Sequence, residues 1–265
     1  MKINVISQKL MVICMFPALF LLCMLTALPA VGAEYFVNKQ GNDANNGQGR
    51  EKAFLTIQKG ASGLQPGDTL TIGPGEYPEN IKFINFGSPD KDTMVRAEIP
   101  GTALLRGDVD APAFTKVSGR NNANVADWVG PVLGIIEIDT CKWLKPAAGM
   151  DALEISPGSY FHDEAAKKLH VSTSDFQPAE KHQYAICVRK DHAFQLINSQ
   201  RIVFDGLAAA GFVAPTNKYV FLKAVSGFML EDSRKCTVRN CTAFFNQAGI
   251  TLHDGEKHIG EGEFR

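Results

Sequence analysis

Three short runs between residues 193 and 255 put chemically capable side chains at matching places. They are Ala193-Phe194-Gln195-Leu196-Ile197-Asn198-Ser199, Gly227-Phe228-Met229-Leu230-Glu231-Asp232-Ser233 and Gly249-Ile250-Thr251-Leu252-His253-Asp254-Gly255. Asn198, Asp232 and Asp254 then share one position, Ile197, Glu231 and His253 the position before it, and Arg201, Lys235 and Lys257 a position three further on. If the runs stack as neighbouring strands, equivalent residues lie about 4.8 Å apart. Carboxylates of Asp232 and Asp254 at about 5 Å would have the spacing of a retaining glycosidase, or could hold a calcium ion. Lys235 and Lys257 beside them could pair with uronic-acid carboxylates, and a lysine with a lowered pKa can act as base in a β-elimination. Asp232, Asp254, Lys235 and Lys257 are therefore the candidate catalytic residues. No cofactor is identified beyond that opening for calcium.

The same residues also have a plainer reading. Asp and Asn suit turns because their side chains bond nearby backbone, and charges along a strand edge solvate it and discourage aggregation. His253 and His258 come without a further ligand set, so they do not make a metal site. His162 and His170 sit with Tyr160 and Phe161 in a hairpin-like segment, where aromatic rings could stack on sugars or pack the segment down. No nucleophile motif, phosphate loop or dinucleotide fingerprint is present.

The elements that must position these groups are short strands. The first two runs are offset by 34 residues and the second pair by 22. Downstream, Ile202, Phe204 and Leu207 align with Cys236, Val238 and Cys241, so the longer offset reads as one 22-residue unit plus a loop from Phe212 to Lys223. A unit of that length built of alternating strands suggests one coil of a solenoid, whose apolar face is buried only by stacking. Further strands are expected at Tyr35-Phe36-Val37, around Leu70 and Ile72, at Ile81-Lys82-Phe83-Ile84, and on both sides of Pro100-Gly101. Phe54, Ile57, Ala61 and Leu64 recur at helical spacing, Thr56 is placed to cap the start, and Pro66-Gly67-Asp68 stops the segment. Residues 111–190 are less regular. They read as a β-rich insertion containing a hairpin, Ser159–His162 with Leu169–Ser172.

The N-terminus reads as an export signal over residues 1–33. Lys2 and Lys9 precede a run from Leu10 to Val31 free of charge, which ends in Pro29-Ala30-Val31-Gly32-Ala33. No second segment is apolar and long enough to cross a bilayer, so no membrane association is expected after cleavage. Lys plus Arg is 27 against 28 Asp plus Glu, a balance that offers no positive field for nucleic acid. Cys141, Cys187, Cys236 and Cys241 form no Cys-x-x-Cys pair, which argues against zinc.

In Tyr35-Phe36-Val37, Gly41-Asn42-Asp43, Phe54-Leu55-Thr56-Ile57-Gln58-Lys59, Pro66-Gly67-Asp68-Thr69-Leu70 and Gly75-Glu76-Tyr77-Pro78-Glu79, the chain resembles the secreted right-handed parallel β-helix proteins of the pectate-lyase-like superfamily. The resemblance covers residues 35–107 and 193–255 and passes over the insertion. It implies an all-β fold, a right-handed parallel β-helix (solenoid) with a short N-terminal capping helix and an inserted β-rich segment. The expected division is a signal peptide at 1–33, cap and first coils at 34–110, insertion at 111–190, and further coils at 191–265. No capping element closes those coils, so the chain reads as the front of a longer solenoid. Family members include polysaccharide lyases, glycoside hydrolases and adhesins without chemistry. The expected role is therefore action on an extracellular polysaccharide as a lyase or hydrolase, by a secreted monomer. The alternatives are a noncatalytic binding or adhesive surface, or a fragment whose catalytic coils lie beyond residue 265.

Overall fold

The computed structural model describes residues 32–214 and 224–253. The chain divides into two compact units, Met1–Gly32 and Ala33–Arg265, and every described strand and helix belongs to the second. The export signal read from the sequence falls outside the described residues, apart from its last two.

Strands dominate, and three of the five sheets are wholly parallel. Sheet 1 runs Glu34–Val37, Thr69–Ile72, Thr93–Ala97, Ile202–Asp205, Thr237–Arg239. Sheet 2 runs Gly75–Tyr77, Ala103–Arg106, Leu207–Ala210, Thr242–Phe244. Sheet 3 runs Ile81–Ile84, Phe194–Ile197, Ser226–Glu231, Ala248–His253. From Thr69 the chain visits sheets 1, 2 and 3 in turn and then repeats the circuit. Each strand thus pairs with the one laid down a circuit earlier. The repeat seen in the sequence is this register: Phe194 pairs with Phe228 and Phe228 with Ile250, while Phe204 pairs with Val238. The loop expected from Phe212 to Lys223 lies largely outside the described residues.

Alternation decides what each sheet buries. In Ile81-Lys82-Phe83-Ile84 the first and third residues are buried and the other two exposed, as period two requires. The inward residues of all three sheets form one core. Phe194 and Phe228 stack with centroids 5.2 Å apart, and Phe204, from sheet 1, lies 5.0 Å from one and 5.9 Å from the other. Cys236 and Cys241 pack partly buried against this core as free thiols.

The short helix at Ile57–Ser62 covers the start of that core with Ile57 and Ala61. Six residues make a marginal helix, so its first turn is held from outside. Thr56 accepts from the Lys59 amide at 3.2 Å, Glu79 accepts from the Ile57 and Gln58 amides, and Asp43 accepts from those of Leu55 and Thr56. The turn at Phe86-Gly87 approaches the next circuit closely. A Cβ at Gly87, whose φ is 113°, would lie 1.9 Å from the Gln200 carbonyl oxygen. Only glycine fits both the space and the conformation.

Between the second strand of sheet 2 and the second strand of sheet 3 the chain builds two other sheets. One is antiparallel, in the order Lys142–Trp143, Gly134–Glu137, Tyr184–Cys187, Asp108–Asp110. The other holds the hairpin Ser159–Asp163 with Lys168–Ser172, flanked by Asn124–Asp127. They enclose a separate core around Phe114, Ile135, Leu169, Tyr184 and Ile186. Ile136, Ala185 and Cys187 then pack on Val213, with Phe245 against them, which ties this segment to the parallel sheets.

Candidate functional site

Asp232 and Lys235 occupy the two ends of the turn that follows strand Ser226–Glu231. Both are exposed, and both have left-handed backbone, φ 48° and 53°. One circuit earlier Asn198 and Arg201 hold the same two positions at 45° and 53°, and Asn85 repeats the first at 52°. The Asn198 side-chain amide donates to Asn85 Oδ1 at 2.7 Å, and the amides of Asn198 and Asp232 donate to the carbonyls of Glu231 and His253. This is a ladder of stacked turns, and Asn and Asp are the side-chain-bearing residues that enter the left-handed region most readily. Arg201 in the basic column is bound to Asp92 at 2.8 Å and to the Pro89 carbonyl. Asp254 and Lys257 lie outside the described residues.

The outer faces of the three parallel sheets differ in how their charges are used. On sheet 1, Arg96 pairs with Glu34 at 2.9 Å and Arg239 with Asp205 at 2.9 Å. The Asn240 amide and the Arg239 guanidinium hold the Asp205 carboxyl below its usual range. At sheet 2, Arg106 binds Glu76, Asp108 and Asp110 at 2.7–2.9 Å, and burial pushes the Asp108 carboxyl up against that pull. These groups are committed to structure.

Sheet 3 presents two outward columns in register. Lys82, Gln195, Met229 and Thr251 form one, in which Met229 is buried, and Ile84, Ile197, Glu231 and His253 the other. Among the described residues, neither the Lys82 ammonium nor the Glu231 carboxylate is held in an ion pair or side-chain hydrogen bond, and the buried His253 Nδ1 has no partner. The alternating strands aim these groups at one face about 4.8 Å apart per strand.

The entry to that face is built more firmly. Arg189 Nη1 donates to Asn80 Oδ1 at 3.1 Å, and Asn80 Nδ2 donates to the Asp191 and His192 carbonyls at 3.1 and 2.8 Å. His192 Nδ1 accepts from the Ser226 amide at 2.9 Å, so a neutral ring carries its proton on Nε2. Burial lowers the His192 pKa; Lys82 acts in the same direction, while Asp191 and Glu231 oppose it. Ser226 also shares a short hydroxyl contact with Thr251. The face therefore offers an ammonium, a carboxylate and two imidazoles, one of them with its pKa lowered by burial. Such groups can bind hydroxyls and acidic groups and can move protons.

A second polar cluster lies in the insertion. His182 places Nδ1 2.9 Å from Asp139 and Nε2 3.2 Å from Asp175, with the fully buried Glu137 3.8 Å from Nδ1. Thr140 and Ser174 donate to Glu137, as does the Ser174 amide. Burial lowers the His182 pKa, but the hydrogen bond to Asp139, the charge of Glu137 and the bond to Asp175 outweigh it and hold the ring above its usual value. The ring is saturated by partners on two segments, Glu137 with Asp139 and then Asp175, so it clamps them to its own. Among the described residues no group of acidic, His or Cys side chains could hold a metal ion. His170 stacks on Phe161 at 5.9 Å, a packing role, and Cys141 and Cys187 are free thiols.

Sequence reasoning had the Glu231 and His253 column but not Lys82, Arg189 or His192 beside it. Lys82 is an ordinary polar member of an alternating strand, and nothing in its type singles it out. Nothing local to Arg189 or His192 marks them.

No protein-family model and no curated protein matches the chain. Solved structures do. The chain is similar to XylC in complex with xylose, at 16% identity and TM-score 0.54, over 77% of this chain and 40% of that one. It is similar to a glycoside hydrolase at 10% identity and TM-score 0.56, over 79% of this chain and 61% of that one. Pectate lyase Pel9A matches 89% of this chain at 12% identity, with a TM-score of 0.35 that carries no argument. The chain thus spans less than two thirds of the length of the first two, and at these identities the likeness is one of fold: an all-β chain of parallel sheets shared with carbohydrate-active proteins.

Proposed function

We propose that this chain is a secreted right-handed parallel β-helix protein that engages an extracellular polysaccharide along the outer face of sheet 3. The expected division into export signal, cap and first coils, insertion and further coils belongs to the same reading. The observation that carries it is the contrast between faces. Charges on sheets 1 and 2 are tied into ion pairs, while Lys82 and Glu231 on sheet 3 are not, among the described residues. Likeness of fold to XylC with xylose and to a glycoside hydrolase supports a carbohydrate as the ligand.

In this reading Lys82 and Arg189 meet the acidic or hydroxyl groups of the chain. Glu231, with His253 beside it in register, exchanges protons at the bond to be broken. One carboxylate among cations suits β-elimination of a uronate, in which the base removes the proton α to a carboxyl group neutralised by the cations. A carbon–carbon double bond forms, and the glycosidic C–O bond β to that carboxyl breaks with its oxygen leaving protonated. Hydrolysis would need a second carboxylate at the spacing such enzymes use, for which Asp232 and Asp254 remain the candidates proposed from sequence. The turn ladder at Asn85, Asn198 and Asp232 favours the noncatalytic alternative for Asp232.

A panel of acidic and neutral polysaccharides, assayed both for new reducing ends and for the ultraviolet absorbance of an unsaturated uronate, separates the outcomes. Absorbance with new ends means elimination, and ends alone mean hydrolysis. Binding without either supports the noncatalytic surface. Neither binding nor cleavage across the panel removes the proposal.

A further inference from the structure

The insertion carries a hollow far in sequence from the sheet 3 strands. It has a volume of about 310 Å³ and is lined by Trp128, Gly130, Pro131, His162, Glu164 and Lys167. We propose that this hollow is a separate binding site for one neutral sugar ring.

The walls are fixed by the fold. The Trp128 amide donates to the Lys167 carbonyl at 3.0 Å, and the Lys167 amide to that of Glu164 at 3.3 Å. Asp127 and Lys168, one residue from each of the lining residues Trp128 and Lys167, form an ion pair. The segment after strand Asn124–Asp127 is thereby laced to the hairpin turn. The indole is fixed as well, because its Nε1–H donates to the Gly130 carbonyl at 3.2 Å. Gly130 has φ 151°, and a Cβ added there would stand in ordinary contact with the Trp128 ring, 3.7–3.8 Å from its atoms. His162 is nearly buried, with Nδ1 3.9 Å from Glu164 Oε1.

The lining chemistry names the ligand. A ring-bearing apolar surface beside a few polar groups is the general composition of a small-molecule site. Glu164 supplies an acceptor, Lys167 a donor, and His162 either. One negative and one positive side chain leave no field that selects an ion, whereas sugar hydroxyls both donate and accept. A sugar ring also has an apolar C–H face for the indole. The volume sits at the low end of the range for ligand pockets, about 300–1,000 Å³. That is room for one sugar ring. This site is independent of the sheet 3 reading, and its failure would leave that reading intact.

The test is saturation-transfer NMR on the full chain with methyl β-xyloside and methyl β-glucoside, and with glucuronate as the charged comparison. The expected affinity is on the order of 1–10 mM, with glucuronate no tighter than the neutral sugars once Lys82→Met removes the cation of the sheet 3 face. Trp128→Ala is expected to weaken binding about tenfold or more. The double change Glu164→Gln with Lys167→Met, on an exposed turn, is expected to weaken it severalfold and leave the fold in place. Trp143→Phe, in the antiparallel sheet of the insertion, leaves binding as it was. Two results overturn the proposal: no saturable transfer in the wild type, or wild-type affinity in Trp128→Ala. If Trp128→Ala does not fold, the double variant decides, and unchanged affinity there overturns it equally.

Discussion

Phe204→Ala removes the ring that joins two sheets. Phe204 is fully buried in sheet 1 and lies against Phe194 at 5.0 Å, Phe228 at 5.9 Å and Phe83 at 6.4 Å, all from sheet 3. Truncating a buried Phe costs about 3–5 kcal/mol, because the cavity closes only in part. Three aromatic neighbours, each able to contribute about 0.5–1.5 kcal/mol beyond burial, place this site at the upper end. Against a total stability of about 5–15 kcal/mol, a loss of about 4–5 is a large fraction. The comparison is Ile197→Ala, an outward residue of sheet 3 paired with Glu231. It should cost about 1 kcal/mol, since its side chain is only half-buried. The assay is urea unfolding followed by far-ultraviolet circular dichroism, alongside fluorescence of Trp128 and Trp143, which both report the insertion. With a slope of about 3 kcal/mol/M, the Phe204→Ala midpoint falls by about 1.5 M in the dichroism transition. Equal costs for the two variants would refute the in-and-out alternation, because a one-residue slip exchanges the two faces.

Three other outcomes follow from the same structure. His182 has its pKa raised by Asp139, Glu137 and Asp175, so its stabilisation is complete below the unfolded value of about 6.5 and is lost as pH rises through the folded value. Unfolding midpoints between mildly acid and alkaline pH should therefore decline more steeply in the wild type than in His182→Gln, and parallel curves would contradict the clamp. Gly87→Ala should lower stability by more than about 2 kcal/mol in the same urea assay, because the added methyl meets the Gln200 carbonyl and left-handed backbone is strained for it. Asp232→Asn should stay within about 0.5 kcal/mol of wild type, whereas Asp232→Val should cost about 1–2, since a β-branched residue resists the left-handed turn. If Asp232→Asn keeps its fold but abolishes glycan cleavage, the turn-only role of Asp232 is wrong.

Much of the parallel part was legible because its signals are local. Thr56 and the spacing of Phe54, Ile57, Ala61 and Leu64 announce the short helix, and the hairpin at 159–172 is marked by its turn. The runs beginning at Ala193, Gly227 and Gly249 carry the register of sheet 3 on their faces. What was not legible depends on distant pairing. Gly134–Glu137 pairs with Tyr184–Cys187 across some fifty residues, with no period to announce it. Lys82 is brought beside Gln195 only after the chain has built the whole insertion between them. Asp232 and Lys235 stand out in the sequence because a stacked turn repeats its residue types, and repetition marks backbone demand as readily as chemistry. Lys82, an ordinary polar residue in an alternating strand, gave no such mark.

The most direct test of the sheet 3 account is calorimetric titration of acidic oligosaccharides into wild type, Lys82→Met and Lys235→Glu. Lys82 lies on the outward face of the sheet, and Lys235 lies at the end of the adjoining turn. The account predicts that Lys82→Met weakens binding about tenfold, or about 1.4 kcal/mol, while Lys235→Glu changes it less than about threefold. Unchanged binding in Lys82→Met together with a large loss in Lys235→Glu would contradict it and return the site to the turn column.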